Sequence, residues 1–360
     1  MKVFHVITSL DLGGAERVAL NIAKSKSEGF EYHLVEVVKA RGIFSEKFVD
    51  EAKSNAVILH KSYIPSKKIA ILLFWFRFLF LMFRFRPNII HAHTEVPDLS
   101  VYIWYKLFGW LFPNVKLLRT IHNTELWSDW KRIGRKVEQM YKSCDSNIAV
   151  SIGTKQRYIE EYGDSLVKVI YNGVEECAQK KFQDVVPGKI NVLFAGRLEY
   201  QKGVDEMIQV FKNLANDERY QLFVVGTGSM KEKVDRELSA FHNIKIYDKI
   251  YGISQYLGSF DYFFMPSNFE GFGLMCVEAS LAHVPTIINK CMGLDETLPE
   301  NWPLSVKNND VNDYLLLFHK TLLFADNYQL NELAYSYAKQ KFSLKRMQKE
   351  YETFYQINEN

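Results

Sequence analysis

Short apolar runs alternate with longer amphipathic stretches along almost the whole chain. The apolar runs are three to seven residues long, the usual length of strands that are buried on both faces of a sheet. The stretches between them carry apolar residues at helical spacing, so we predict strands connected by helices. The predicted strands lie at residues 3–8, 32–38, 56–60, 88–93, 115–121, 147–150, 167–171, 190–195, 222–225, 244–247, 262–265 and 286–288.

This alternation is interrupted once, by a polar stretch at 179–189 that contains a proline and a glycine. Such a segment is typical of a domain boundary. We therefore predict an α/β protein of two α/β/α domains, whose ligand-binding edges face one another across a cleft. Glycine turns that follow predicted strands mark those edges, at Gly13, Gly196, Gly226 and Gly271.

The stretch PSNFEGFGLMCVEASLA at 266–282 predicts a loop and a helix after a buried strand. Glycines let the loop backbone approach a ligand, and the helix start leaves N–H groups unpaired, which favours a phosphate. Glu278 lies about 7.5 Å along the helix from Gly273, so its carboxylate can reach the ribose of a nucleotide. Glu270 lies on the loop, where it can meet a sugar beyond the phosphate. The alternative is an ordinary strand–loop–helix connection whose two glutamates face solvent.

Two further loops carry candidate phosphate-binding groups. Arg197 and Lys202 flank the loop after the strand at 190–195, where two cations can neutralise a diphosphate. Gly13 and Gly14 follow the first strand, where their N–H groups can face an anion or simply form a tight turn. This first loop lacks G-x-G-x-x-G, the fingerprint of nicotinamide dinucleotide binding.

The stretch KKIAILLFWFRFLFLMFRFR at 67–86 is apolar almost all round. Arg77 and Arg84 interrupt it, so it has no uncharged run of roughly 18 residues, the length that spans a bilayer. A helix on one face of a sheet cannot easily bury so broad an apolar surface. We predict an aromatic and basic helix face that rests on a membrane, with an inter-helix or dimer contact as the alternative.

Histidines lie at the ends of two predicted strands. His91 and His93 alternate onto one face, as a metal-binding pair would, but no third ligand follows at a recognisable spacing, and a structural role is preferred. His122 follows the strand at 115–121, at the edge where open α/β sheets bind ligands. A capping or packing histidine is the alternative there.

Composition narrows the class of protein. Among 360 residues, 45 basic and 42 acidic side chains leave a net charge of +3, too balanced to indicate nucleic-acid binding. The four cysteines are widely spaced and are interpreted as reduced thiols. The N-terminal MKVFHVITSL is too short and strand-like for a signal peptide. We expect a cytoplasmic protein, at the inner face of the plasma membrane if 67–86 binds lipid.

Taken in order, the motifs GGAER, TIHN, IYNGV, FAGRLEYQKG, VVGTGSM and PSNFEGFGLMCVEA resemble those of the family 4 retaining glycosyltransferases of the GT-B fold. The resemblance covers almost the whole chain, and Glu270 and Glu278 match the E-x7-E pattern, its most specific feature. One departure is CMGLDE at 291–296, where the family is expected to have a more glycine-rich turn. The resemblance implies that the last helix crosses back, which gives an acceptor-binding domain of residues 1–172 plus 343–360 and a donor-binding domain of residues 173–342.

The resemblance also implies a role for each matching residue. Arg197 and Lys202 bind the donor diphosphate and stabilise charge on the leaving nucleotide. Glu270 contacts the transferred sugar, Glu278 holds the ribose, and His122 approaches the sugar or the reacting centre. Further donor contacts are implied for loop N–H groups and for the turn near the base, at Gly13, Gly14, Gly271, Phe272, Gly273, Leu274, Lys249 and Ile250.

The predicted reaction is retaining transfer of a hexosyl group from a nucleotide sugar to a saccharide or lipid-linked acceptor. Such transfer would serve the synthesis of cell-surface polysaccharide or glycolipid. The resemblance favours UDP as the nucleotide of the donor, with GDP as the alternative. Negative charge grows on the departing diphosphate, and fixed cations and helix N–H groups lower that barrier. No D-x-D motif occurs, so neither a divalent metal nor another cofactor is expected. Retention by same-face attack of the acceptor hydroxyl is implied by the family alone.

Other classes of protein remain as alternatives. A glycosidase would use Glu270 and Glu278 as paired carboxylates but leaves Arg197 and Lys202 unexplained. A sugar-nucleotide epimerase on a similar fold is harder to exclude, and movement of label from the donor to an acceptor separates the two. A nicotinamide oxidoreductase lacks the fingerprint, and a non-catalytic nucleotide-binding regulator would be expected to lack some catalytic part.

Overall fold

A computed structural model describes residues 1–128, 130–163, 166–322 and 327–357. The chain forms two compact units, one of Met1–Gly173 with Leu344–Asn360 and the other of Val174–Ser343. The boundaries predicted from the sequence lie one residue earlier in each case. The last three residues of the predicted C-terminal segment, 358–360, lie outside the described residues.

The first unit is built on a parallel sheet. Its strands are β1 (Lys2–Ile7), β2 (Glu31–Glu36), β3 (Ile58–His60), β4 (Ile89–His93), β5 (Lys116–Ile121), β6 (Asn147–Ala149) and β7 (Lys168–Val169). They lie in the order β3-β2-β1-β4-β5-β6-β7. The helices that precede the second unit are α1 (Gly14–Ala23), α2 (Ser45–Ser54), α3 (Lys67–Phe85), α4 (Glu95–Phe108), α5 (Lys131–Ser143) and α6 (Ile152–Tyr162).

The second unit repeats this layout. Its strands are β8 (Ile190–Ala195), β9 (Tyr220–Val225), β10 (Ile244–Tyr247), β11 (Tyr262–Met265), β12 (Thr286–Asn289) and β13 (Ser305–Val306). They pair in parallel in the order β10-β9-β8-β11-β12-β13. Its helices are α7 (Val204–Leu214), α8 (Lys231–Leu238), α9 (Leu274–Leu281), α10 (Val311–Leu316) and α11 (Asn327–Lys341).

The predicted α/β class with two parallel sheets is confirmed. Central strands such as β1 and β9 are buried along nearly their whole length, because helices cover both faces of a parallel sheet. In each unit the strand order reverses once, between β1 and β4 in the first and between β8 and β11 in the second. Loops that leave the strands at such a switch point diverge and open a crevice for ligands.

The last helix, α12 (Leu344–Ile357), belongs to the first unit. It buries Met347, Tyr351 and Tyr355. The Tyr351 hydroxyl lies 3.0 Å from Thr120 Oγ1, and the Tyr355 hydroxyl lies 2.7 Å from His91 Nδ1. These contacts fix the end of the chain against the central strands of the first sheet.

Helices α2 and α4 connect predicted strands, but the sequence analysis gives neither of them bounds of its own. Helix α4 contains Pro97 in its first turn, where proline is tolerated because that residue's N–H group would have no helical partner. The sequence from Trp127 to Cys144 predicts a helix, but α5 begins four residues later, at Lys131, and Trp127 has a left-handed backbone (φ 57°). The Trp127 indole N–H instead donates to Glu138 Oε1 at 2.6 Å.

Helix α3 occupies nearly the whole predicted stretch 67–86. Arg77 and Arg84 are seven residues apart, which predicts that both lie on the basic face, but the Arg77 guanidinium instead donates to the carbonyl oxygens of His60 (3.2 Å), Lys61 (2.6 Å) and Glu36. Arg84, by contrast, is exposed. Among the described residues, no helix combines the length and the apolar character needed to cross a membrane.

Candidate active site

The loops that follow β8 and β11 meet at the switch point of the second sheet. Gly203 ends the first loop with φ +66°, and a Cβ there would lie 1.7 Å from the carbonyl oxygen of Pro266 in the second. Only glycine allows this approach. The Asn268 N–H donates to the Gln201 carbonyl at 2.8 Å, and the Asn268 side chain donates to Tyr200 O at 2.8 Å. The two loops are therefore held together through their backbones.

Lys202 and Glu270 form a salt bridge between these two loops. Lys202 Nζ donates to Glu270 Oε1, which also accepts a hydrogen bond of 2.8 Å from Ser267 Oγ. The side chain of Glu270 is only 7% exposed and that of Lys202 is 20% exposed. Exclusion of water strengthens the attraction between the two charges. Two predicted site residues that are 68 positions apart are thus in direct contact.

Arg197 lies on the same loop as Lys202, but its side chain is exposed. The guanidinium donates to Gln201 Oε1 at 2.9 Å. Within the described residues, no carboxylate lies at salt-bridge distance from it. Its charge therefore remains available at this edge of the sheet for an incoming anion.

The loop after β9 is attached to the same region through Glu199, a residue that the sequence analysis does not single out. Its carboxylate accepts hydrogen bonds from the Ser229 N–H (2.8 Å) and from Ser229 Oγ (2.5 Å). These bonds from Ser229 lower the pKa of Glu199. The backbone adds a hydrogen bond from Leu198 N–H to Thr227 O at 2.9 Å. Glu199 therefore holds the Arg197–Lys202 loop to the glycine turn GTGSM.

The loop EGFG leads directly into α9. Gly271 is buried, and Gly273 has a left-handed backbone (φ +80°) just before the first helical residue, Leu274. Among the described residues, no side chain caps this helix end. First-turn N–H groups without a capping acceptor, together with the helix dipole, form a binding place for an anion. The Phe272 side chain is buried and packs on Phe342, with ring centroids 5.1 Å apart.

The CMGLDE turn, which departs from the family pattern, packs on the EGFG loop. Gly293 has φ +80°, and a Cβ there would lie 2.6 Å from the carbonyl oxygens of both Glu270 and Gly271. Any larger residue at this position would displace the loop that carries Glu270. The turn therefore keeps a glycine at the position where this contact requires one.

The remaining predicted donor contacts lie along the same sheet edge. Glu278 is half-buried in the second turn of α9. Burial raises the pKa of the Cys177 thiol, and the negative charge of Glu278 raises it further. Lys249 is exposed and Ile250 is half-buried; both follow β10, the outermost strand. The structure thus places these two residues two strands away from β8, at the periphery of the site.

In the first unit, Gly13 and Gly14 stand at the start of α1. Gly13 has an extended backbone, and no side chain in the described part of the chain caps the helix. However, a Cβ on Gly13 would meet Glu16 Oε2 at 2.2 Å, so a carboxylate already lies beside this helix end. An anion would have to compete with that negative charge.

Four histidines converge at the carboxyl end of the first sheet. His5 Nδ1 lies 2.9 Å from His93 Nε2, and His93 Nδ1 lies 3.1 Å from His122 Nε2. His91 bonds to the hydroxyls of Tyr355 (2.7 Å) and Thr120 (2.8 Å). Burial lowers the pKa of His5 and of His122 to about 3, and holds those of His91 and His93 well below their usual range. The four rings are therefore neutral near pH 7.

His5 supplies the third imidazole that the sequence analysis does not find beside His91 and His93. Nitrogens of the three residues lie within 4.8 Å of one another, which is close enough for a metal centre. Both nitrogens of His91 and both of His93 already have hydrogen-bond partners, however. The donor set suits a hydrogen-bonded network better than a metal ion, because metal binding would break several of these bonds.

Beneath His122 lies a buried ion network that the sequence analysis does not predict. Arg119 on β5 donates to both oxygens of Glu138, to Asp98 Oδ2 (3.2 Å) and to Asn147 Oδ1 (2.7 Å). Burial raises the pKa of Asp98 well above its usual range. His122 and part of this network border a small cavity, the β4/β5 cavity, lined by Thr94, Glu95, Asp98, Arg119, Thr120, Ile121, His122, Asn123 and Leu126.

Both units match models of known protein families. Residues 12–176 match the family model described as Glycosyltransferase Family 4, and residues 177–323 match the model described as Glycosyl transferases group 1. The capsular polysaccharide biosynthesis glycosyltransferase CapH of Staphylococcus aureus is 23% identical over 339 residues, which are 89% of this chain and 88% of CapH. An uncharacterised 41.2 kDa protein in the cps region of Klebsiella pneumoniae is 29% identical over 234 residues, 59% of this chain and 63% of that protein.

Solved structures of low sequence identity share the fold. The structure of Anabaena Alr3699/HepE in complex with UDP and glucose superimposes with a TM-score of 0.76 at 16% identity, over 98% of this chain and 99% of that one. A glycosyltransferase of Rickettsia africae superimposes with a TM-score of 0.74 at 18% identity, over 99% and 98% of the two chains. The solved structures show the GT-B fold, and the two family models, which together match residues 12–323, show that the chain belongs to the family 4 glycosyltransferases.

Proposed function

We propose that the protein transfers a sugar, with retention of configuration and without a metal ion, from a UDP-sugar to a saccharide or lipid-linked acceptor. The second unit binds the donor, the first unit binds the acceptor, and His122 approaches the sugar or the reacting centre. The product belongs to a cell-surface polysaccharide or glycolipid. The UDP in the Anabaena complex and the capsular role in the name of the S. aureus relative support the donor and the acceptor class.

The observation that carries this proposal is the contact between Lys202 and Glu270 at the switch point, beside the uncapped start of α9. As the bond to the sugar breaks, negative charge grows on the diphosphate. A lysine fixed by a carboxylate and a row of helix N–H groups meet that charge without reorganising, which is how electrostatic catalysis lowers a barrier. Arg197 adds a second cation at the same edge.

The direct test supplies the purified protein with labelled UDP-sugars and GDP-sugars in the presence of EDTA, with saccharide and lipid-linked acceptors. Label should move to an acceptor from a UDP-sugar, and NMR of the product should show the anomeric configuration of the donor. Conversion of the donor into an epimer without transfer would identify an epimerase instead. Loss of transfer in EDTA that a divalent ion restores would contradict the metal-independent mechanism.

Glu278 and Arg197 should differ in the step that they affect. We expect Glu278→Ala to weaken UDP binding about tenfold, since a hydrogen bond to a charged group contributes roughly 1.5–3 kcal/mol. Arg197→Ala should mainly lower the rate of transfer, because its charge matters most when the diphosphate departs. Calorimetry with UDP and steady-state kinetics measure the two effects. Exposed Glu300→Ala is the matched control, and unchanged constants for both site variants would contradict the assignment.

One face of α3, the apolar stripe, is unusually exposed for a folded protein. Its six side chains follow the helical spacing i, i+3, i+4, i+7, i+11 and i+14, namely Ile69, Leu72, Leu73, Phe76, Phe80 and Phe83. Phe76 is 72% exposed. The stripe continues onto the end of α4 and the turn after it, where Phe83 and Phe112 lie 5.1 Å apart and Trp110 is 75% exposed.

The charges around the apolar stripe suit an anionic bilayer. From residue 52 to residue 94 the sequence has seven Lys or Arg and no Asp or Glu. Of the basic residues in and beside α3, Lys67, Lys68, Arg84 and Arg86 are exposed. Apolar side chains can enter the boundary between head groups and acyl chains while the cations meet anionic lipids. We propose that α3 holds the protein on such a membrane, where a lipid-linked acceptor would be presented.

We expect the protein to co-sediment with liposomes that contain anionic lipid, and less so at high salt, which screens the charges. Phe76→Ser with Phe80→Ser should reduce the bound fraction severalfold. Leu316→Ser with Ile357→Ser, which removes two exposed apolar residues elsewhere, should not. Sedimentation that does not depend on lipid would contradict membrane binding. Analytical ultracentrifugation that shows a dimer lost only in the α3 variant would assign the stripe to a second copy of the chain.

A further inference from the structure

Three histidines form a hydrogen-bonded line from the interior of the first unit to the β4/β5 cavity. We infer that this imidazole chain, His5–His93–His122, sets the tautomer of His122, so that His122 presents an Nδ1–H donor to its ligand. His5 and His93 are then positioning residues for His122.

The sheet order creates the line. His5 lies on β1, His93 on β4, and His122 directly follows β5, and these three strands are neighbours. His5 Nδ1 and His93 Nε2 are 2.9 Å apart, and His93 Nδ1 and His122 Nε2 are 3.1 Å apart. Both separations are those of nitrogen hydrogen bonds. Each of the two inner rings is fully buried.

Neutral imidazoles allow the line only two orientations. A neutral ring has one N–H donor and one bare nitrogen acceptor, so each ring dictates the tautomer of the next. Burial lowers the pKa of all three rings far enough to keep them neutral near pH 7. In the outward orientation every ring carries its proton on Nδ1. In the inward orientation every ring carries it on Nε2.

The inner end of the line selects the orientation. His5 Nε2 is buried, and within the described part of the chain it has no hydrogen-bond partner. The inward orientation would leave a buried N–H there without an acceptor, which is rarer in proteins than a buried acceptor without a donor. The outward orientation leaves only a lone pair unsatisfied. The proton of each ring therefore lies on Nδ1.

The outer end of the line is then a donor. His122 borders the β4/β5 cavity, and its Nδ1 has no protein partner among the described residues. An Nδ1–H there can donate to an oxygen atom of a ligand, such as a sugar hydroxyl, and cannot remove a proton from it. The statement about a sugar depends on the proposed function, whereas the tautomer does not.

The tautomer can be measured on the full-length protein without any ligand. Long-range ¹H–¹⁵N correlation spectra of protein labelled with ¹⁵N-histidine distinguish Nδ1–H rings from Nε2–H rings and from cations. We expect His5, His93 and His122 all to appear as Nδ1–H rings at pH 7. An Nε2–H or cationic His122 would overturn the inference, whether or not the protein transfers sugar.

A pair of variants separates tautomer control from simple packing. His93→Asn keeps an amide N–H near the position of Nδ1, where it can donate to His122 Nε2, so His122 should remain an Nδ1–H ring. His93→Met fills similar space without a donor, so His122 should show both tautomers. Identical His122 spectra in the two variants would contradict control through His93. If either variant fails to fold, the wild-type spectrum alone decides.

Activity provides a separate readout. Asparagine places its amide near the position of Nδ1 and glutamine near that of Nε2. His122→Asn should therefore retain about tenfold more transfer activity than His122→Gln, as expected for one retained hydrogen bond. The reverse order would overturn the donor role. A wild-type protein with the expected spectrum but no transfer activity would contradict the proposed function and leave the tautomer assignment standing.

Discussion

Replacing Lys202 with methionine is expected to slow sugar transfer by about 10²- to 10³-fold, the usual cost of removing one preorganised group that stabilises transition-state charge. Methionine keeps much of the length of the side chain but removes the ammonium that is held by Glu270 at the switch point. The KM for the donor should change less than kcat, because the charge on the diphosphate increases as the bond breaks. Steady-state kinetics with the donor identified by screening measure both constants.

Matched variants distinguish this role from a structural one. Lys202→Met leaves Glu270 buried without its cation, so part of the loss could come from a displaced loop. The double variant Lys202→Met with Glu270→Gln removes both charges and should restore thermal stability but not the rate. Lys212→Met, on an exposed lysine that pairs with Glu237, should leave the rate unchanged. A Lys202→Met rate within a factor of about three of wild type would contradict the catalytic assignment.

Acid should destabilise the first unit strongly. His5, His91 and His93 are buried and neutral, with pKa values far below the ordinary value of about 6.5 that they regain on unfolding. Below about pH 6.5 the unfolded state binds more protons than the folded state. The contribution of these histidines to the free energy of unfolding is therefore fully present above about pH 6.5 and is lost as the pH falls. Each histidine contributes about 1.4 kcal/mol per pH unit, so these three alone lower the free energy of unfolding by about 4 kcal/mol per unit below pH 6, and His122, whose pKa is also lowered, adds to that slope.

Urea unfolding at pH 5, 6, 7 and 8 measures this dependence. Five of the six tryptophans lie in the first unit, and Trp302→Phe removes the remaining one, so fluorescence then follows the first unit alone. His91→Gln should reduce the slope by about one proton, or about 1.4 kcal/mol per pH unit. His242→Gln, in the second unit, should not change it, because the fluorescence then follows the first unit alone. An unfolding free energy that is the same at pH 5 and pH 7 would contradict the buried, neutral state of the histidines.

The two sets of experiments address different parts of the molecule. The Lys202 variants concern charge stabilisation in the second unit, and the acid unfolding concerns the histidines of the first. If the free energy of unfolding falls at acid pH as expected and the Lys202→Met enzyme is fully active, the described packing is right and the catalytic assignment is wrong. If stability does not depend on pH and the Lys202→Met enzyme is slow, the catalytic assignment stands and the description of the histidine network is wrong.

Strands and loops could be predicted from sequence because the signals for them are local. The predicted strands at 190–195, 244–247 and 262–265 have the same bounds as β8, β10 and β11. A strand that is buried on both faces needs an uninterrupted apolar run, and a sharp turn needs glycine. Both signals lie within a few neighbouring residues and can be recognised from the sequence. Helix α4 is harder to predict, because Pro97 has the same local signal whether it ends a helix or begins one.

By itself, the sequence determined the two α/β series, the loops that carry Arg197, Lys202, Glu270 and Glu278, and the family to which these motifs belong. Only the tertiary structure decided which side chains meet: Lys202 with Glu270 across 68 positions, and His5 with His93 across 88. It also turned Arg77 inward onto backbone carbonyls, against the predicted basic face. The reason is that hydrophobic periodicity reports the environment of one segment, whereas contacts between segments depend on strand order and on the direction of each side chain.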